Sequence, residues 1–175
     1  MKTYDPENPT HRCNLAMALL AKLTECGFLP ESREGTNEAV YSRPVNDGIR
    51  VLVYTSVIPA GTSFQVRKEG KDAIRVCAVY TAKDGRERGI ARAEKRVNRT
   101  GTVDGVVDRT HERMRDVYRL ALRPCTCDTC GAPKFTSKGG NEVCADLCWL
   151  SDEERNRPAP PKRQRRRRRQ WRRRY

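Results

Sequence analysis

Two cysteine pairs set the tightest limit on what this chain folds into: Cys127-x2-Cys130 and, after thirteen intervening residues, Cys144-x3-Cys148. A tetrahedral zinc site needs four ligands, and two close pairs separated by a loop supply them as thiolates. In "CDTCGAP", Gly131 directly follows the second thiolate. A residue without a Cβ lets the backbone curl so that amide N–H groups point at the sulfurs and spread their charge. Four thiolates leave no open position for water, so one Zn2+ held here is structural, not catalytic. Cys125 competes as a ligand, one residue outside the first pair. Pairing it with Cys127 strands Cys130 and wastes the glycine, so Cys125 reads as a spare thiol.

Between the pairs, "PKFTSKGGNEV" predicts a short hairpin about Gly139-Gly140. After it, "CADLCWLSDEERNR" predicts a helix carrying Cys144 and Cys148 at i and i+4 on one face. Knuckle, hairpin and helix make a treble-clef arrangement. The stretch "CDTCGAPKF…VCADLCWLSDEERNRP" resembles the short treble-clef zinc fingers patterned C-x2-C-G-x-P…C-x3-C, among them the small bacterial gyrase-inhibitor zinc proteins and MYND-like fingers. The resemblance covers about 30 of the 175 residues and implies only ligand roles, for Cys127, Cys130, Cys144 and Cys148. The chain departs from the pattern by placing Ala-Asp-Leu between its last two cysteines, and gyrase inhibition is not implied. Partners of such fingers include DNA, RNA and protein. The segment 124–157 has few apolar residues (Phe135, Val143, Leu147, Trp149, Leu150). It needs its metal to fold.

Residues 1–123 read as an α+β body: a helix, about five antiparallel strands and a second helix. "THRCNLAMALLAKLTECGF" predicts the first helix, with Thr10 as N-cap and an apolar stripe of Leu15, Leu19 and Leu23. Gly27 suits the left-handed residue after it, with Phe28 folding back on Leu23. "EAVYSRPV" and "GIRVLVYTSV" flank the hairpin signal Asn46-Asp47-Gly48, and Pro44 marks the first of these strands as an edge. "TSFQVRK" reads as a shorter strand. "DAIRVCAVYTA" and "RERGIARAEKRV" flank a second hairpin at Lys83-Asp84-Gly85. A two-residue turn at Asp84-Gly85 predicts the pairs Tyr80–Gly89, Ala78–Ala91 and Val76–Ala93 on a face that a helix covers. On the other face it pairs Arg75 with Glu94, Cys77 with Arg92, Val79 with Ile90 and Thr81 with Arg88. Arg88, Arg92 and Arg96 then belong to a stripe that is either a basic nucleic-acid surface or a solvated face of cross-strand ion pairs.

The second helix, "DGVVDRTHERMRDVYRLAL", starts at Thr102 or Asp104 and turns Val107, Met114, Val117, Tyr118 and Ala121 inward. Asp104, Asp108, Glu112 and Asp116 recur every four residues. Such a row is able to bind divalent metal for phosphodiester chemistry, but Arg109, Arg113, Arg115 and Arg119 stand within pairing distance along the helix. His111 reads as a boundary histidine. No nucleophile elbow, P-loop or dinucleotide glycine pattern occurs, so no catalytic residue is assigned.

Charge points to the partner. The last fourteen residues, Lys162–Tyr175, hold ten Lys/Arg and no acid; the first 161 then carry only +4 of the total +14. "RPAPPKRQ" predicts an extended spacer, and residues 158–175 a disordered Arg-rich tail. Its Lys162, Arg163, Arg165, Arg166, Arg167, Arg168, Arg169, Arg172, Arg173 and Arg174 suit phosphates. Trp171 suits base stacking, as does Tyr175. The expected partner is therefore DNA or RNA, bound with little sequence selectivity, and the same tail would serve as a nuclear or nucleolar address. An Arg-rich arm on a compact domain is similar in composition to viral or phage genome-packaging proteins. Two other classes fit the sequence: an adaptor binding protein through its finger, and a nucleic-acid enzyme using the Asp104–Asp116 row. The polar N-terminus lacks the order of a secretory signal, so the eight cysteines are expected to be reduced thiols inside a cell. No apolar run is long enough to span a membrane.

Overall fold

The structure, a computed structural model, describes residues 3–33, 38–58, 74–151 and 154. It is an α+β fold with two helices and a seven-stranded antiparallel sheet in simple sequential order, β1 to β7. The elements are α1 (Pro9–Glu25), β1 (Leu29–Glu31), β2 (Ala39–Asn46), β3 (Ile49–Thr55), β4 (Ile74–Thr81), β5 (Glu87–Arg96), α2 (Val103–Leu122), β6 (Lys134–Thr136) and β7 (Glu142–Cys144). The tail and "TSFQVRK" lie outside the described residues.

Helix α1 begins two residues earlier than Thr10 suggests. Asn8 is the cap: its side-chain oxygen accepts from the Thr10 and His11 amides at 2.9 and 3.3 Å. Pro9, with no N–H to satisfy and φ already set, takes the first helical position and leaves Thr10 inside the helix. The other end follows expectation. Gly27 is left-handed at φ 74°, the Phe28 amide donates to Leu23 O at 2.9 Å, and the Gly27 amide donates to Thr24 O at 2.9 Å. That is a Schellman ending, with Phe28 and Leu23 both buried.

One large core lies between the helices and one face of the sheet. Leu15, Leu19 and Leu23 of α1 and Val106, Met114 and Val117 of α2 meet Val51, Val53, Val76 and Ala78. Helix α2 lies against β3, β4 and β5, and α1 packs along α2. Thr102 caps α2, accepting from the Gly105 amide at 3.1 Å. The buried hydroxyl of Thr110 donates to Val106 O at 2.8 Å, so its burial costs little. Leu19 is fully buried, and Leu19→Ala should destabilise the body by about 2–5 kcal/mol in chemical denaturation.

The opposite face carries a smaller apolar cluster, Val40, Leu52, Cys77 and Val79, with Tyr54 beside it. An ion-pair lattice accompanies it. Arg33 bonds Glu31 and Glu87, each at 2.7 Å; Arg50 bonds Glu31 at 3.1 Å and also Glu87. Arg75 lies over the Tyr54 ring at 4.4 Å.

Three features depart from the sequence reading. Strand β1, only three residues long, pairs with Val40–Ser42, so Pro44 sits on the free edge just beyond β1's end. The β4–β5 loop spans Lys83, Asp84 and Gly85, closed by the Ala82 amide donating to Arg86 O at 2.9 Å. Thr81 therefore faces Glu87, and Val79 faces Gly89. Farther along, Cys77 faces Glu94 and Arg75 faces Arg96, so four residues of β5, Ile90–Ala93, stand opposite Ala78 alone. Arg92 in this bulge adopts a left-handed φ of 62°. The sequence-derived pairing is thus overturned, although Val76 and Ala78 still face the helices.

Candidate metal centre

The bulge on β5 is where the cysteine segment joins the sheet. Ile90 pairs with Phe135 of β6, and Arg92 reaches Glu142 of β7 at 2.6 Å. The predicted hairpin forms between them: the Ser137 amide donates to Asn141 O at 2.8 Å, and Lys134–Thr136 pairs with Glu142–Cys144.

The first cysteine pair stands on a knuckle. The Gly131 amide donates to Cys127 O at 2.9 Å and the Cys127 amide to Ala132 O at 2.8 Å, with Gly131 left-handed at φ 74°. Only a residue without a Cβ turns this way at little cost. The amides of Thr129 and Cys130 hydrogen-bond the Cys127 sulfur and hold its pKa down at about 6. The Ala132 amide likewise bonds the Cys130 sulfur.

The second pair departs from expectation. Cys144 ends β7 and Cys148 lies in a turn, so no helix carries them as i and i+4. The Leu147 amide donates to Cys144 O at 3.1 Å, and Leu147 itself is left-handed at φ 49°. Asp146 explains the turn. It is 5% exposed, and its carboxylate accepts from the Lys83 amide at 3.1 Å and the Tyr80 hydroxyl at 3.5 Å. The Ala-Asp-Leu insert is thus a plug that fastens the finger to the β4–β5 hairpin. Asp146→Ala strands the Lys83 amide and should cost about 1–3 kcal/mol in chemical denaturation. Asp146→Asn, which retains an acceptor, should recover most of that loss.

Two knuckles bring four sulfurs together. All lie within 4.8 Å of one another, with Cys127–Cys148 at 3.6 Å and Cys130–Cys144 at 3.4 Å. Metal–sulfur bonds of about 2.3 Å require tetrahedron edges of about 3.8 Å, so the cage fits a zinc-sized ion with small adjustments. Withdrawal from water and the adjoining thiols push Cys148 up to about 12. Four thiolates this close repel one another, and a divalent cation removes the conflict. Among the described residues no other set of three or more His, Cys, Asp or Glu side chains converges in this way. Cys125 stays outside the cluster, its carbonyl accepting from the Lys134 amide at 2.7 Å.

The remaining sequence candidates do not gather into one site. Arg88 is nearly buried against Asp84, at 2.5 and 2.9 Å, and its guanidinium bonds hold the Asp84 carboxyl at about 2. Arg92 turns to Glu142, and Arg96 lies 3.7 Å from Glu94. The three arginines therefore sit in separate ion pairs, not along one unopposed stripe. On α2, Arg113 meets Asp116 at 3.3 Å, while Arg109 turns away to the carbonyls of Asn98, at 3.0 Å, and Thr100. Asp104, Asp108 and Glu112 are exposed. Cys77 is buried, and burial pushes its thiol up to about 11, so it packs as a small apolar residue. Among the described residues no helix is long and apolar enough to cross a membrane. Compared with protein-family models, curated proteins and solved structures, the chain gives no significant match.

Proposed function

We propose that this chain is a zinc-finger nucleic-acid-binding protein of low sequence selectivity, gripping phosphates through residues 162–174. The observation that carries the reading is the charge division: ten Lys/Arg without an acid in the last fourteen residues, against a body of +4. Arg50, Arg88, Arg92 and Arg96 of the sheet meet acids, and Arg43 and Arg75 lie over tyrosine rings; the tail is the longest acid-free cationic segment of the sequence. The metal is zinc, bound once and closed by four thiolates, so its work is to hold the finger's shape. A knuckle and a hairpin support the zinc-finger reading, with the second cysteine pair on a turn. The body is the platform on which finger and tail are mounted.

The test is a salt titration of binding to duplex DNA, single-stranded DNA and RNA, on protein of measured zinc content. If all ten cations meet duplex phosphates, the log–log slope should approach about −9, and about −7 for single strands. Similar affinities for unrelated sequences are expected. A slope near zero, or binding confined to one sequence, rejects the reading.

A further inference from the structure

The finger itself is poorly suited to phosphate. Residues 124–157 contain six acids, Asp128, Glu142, Asp146, Asp152, Glu153 and Glu154, against four bases, Lys134, Lys138, Arg155 and Arg157. A divalent metal on four thiolates adds two further negative charges. On this acidic unit sits the most exposed aromatic side chain described in the molecule, Trp149, at 55%. It follows the ligand Cys148 directly, and the Leu150 amide closes the turn onto Leu147 O at 2.9 Å. The 3.6 Å contact between the Cys127 and Cys148 sulfurs joins its knuckle to the one carrying Asp128, whose side chain is 99% exposed and lies 3.8 Å from the Lys134 ammonium. An exposed indole in a negative field is a receptor for guanidinium, because its face attracts cations and Trp binds them best among aromatics.

We infer that the Trp149 face of the finger is an arginine-binding surface, and that its occupant is the chain's own Arg163–Arg174 segment. Charge complementarity selects that segment, and so does chain length. Eight residues carry the chain from Glu154 to Lys162, a reach of at most about 28 Å, so the cationic run is tethered next to the surface. Tethering of this kind gives effective concentrations in the millimolar range, at which weak cation–π and ion-pair contacts are populated. Polyanion then binds by displacing the tail from the finger. The inference rests on the proposed tail–phosphate grip only for that last step.

The chain has two tryptophans, so Trp171→Phe leaves Trp149 as the only indole emitter. Acrylamide, an uncharged quencher, reports on its accessibility without being drawn to arginine. The pair to compare is the full-length Trp171→Phe chain and the same chain without residues 158–175, each with one metal bound. At about 0.01 M salt the full chain should be quenched about two-fold less; at about 1 M, where the Debye length is about 3 Å, the two should converge. Inorganic polyphosphate, which has no bases to stack, should raise quenching of the full chain to the tail-less value. Equal quenching of both chains at low salt overturns the arginine surface and leaves the tail–phosphate grip standing. Quenching that differs at low salt but falls further with polyphosphate overturns displacement.

Discussion

Replacing Cys144 with serine should abolish stoichiometric metal binding and unfold residues 125–150, while α1, α2 and β2–β4 remain folded. The reason is the shortage of anything else to hold that segment. Among its side chains only Ala132, Pro133, Cys144, Ala145 and Asp146 are buried, and none is a large apolar group. Zinc on such a site supplies on the order of 10–16 kcal/mol of apparent binding free energy, far more than this burial contributes. Chelation should reproduce the mutant, with amide exchange protection lost over 125–150 and retained in the body. The body should also lose something, because Phe135, Glu142 and Asp146 leave β5 and the β4–β5 loop. Cys125→Ser is the control, since its sulfur stands outside the cluster; it should retain one metal per chain. A Cys144→Ser protein that still holds one metal and protects its finger amides would sink the assignment.

Deleting residues 158–175 should remove nearly all of the salt-sensitive nucleic-acid affinity. The deletion takes away ten of the chain's 36 basic residues and none of its 22 acidic ones. Six to ten phosphate contacts make binding fall about 10³–10⁵-fold between 50 and 200 mM salt, so the truncated chain should show a nearly flat salt dependence. At about 50 mM salt the loss of affinity should exceed about a hundredfold. The metal content and the body's stability should not change, which separates a lost grip from a lost fold. An unchanged slope after truncation would move the phosphate contacts onto the body.

Where the governing forces act over a few residues, the sequence was enough. Gly27 and Phe28 end α1, Asp47-Gly48 turns β2 into β3, and the finger's hairpin forms between Thr136 and Glu142. Each depends on backbone sterics and hydrogen bonds inside one short stretch. The clustering of the four cysteines belongs here too, because two close thiol pairs, the first followed by a glycine, announce a sulfur cluster regardless of the rest of the chain. Even at this range a competitor nearby shifted one detail, as Pro9 moved the cap from Thr10 to Asn8.

The tertiary structure decided what depends on partners distant in the chain. The β4–β5 register follows a three-residue loop and a bulge opposite Ala78, and that bulge stands where Ile90 must turn to pair with Phe135, 45 residues on. Arg88 and Arg92 read as one stripe in an unbulged ladder, yet end on Asp84 and Glu142. Cys144–Cys148 has helical spacing, yet Asp146 is drawn into the hydrogen bonds of Lys83 and Tyr80, and the segment becomes a turn. A buried carboxylate must find donors wherever the fold supplies them, and no window of sequence around Asp146 contains those two. Spacing chose the thiols of "CDTCGAP" and "EVCADLC"; the docked sheet chose how their second half is held.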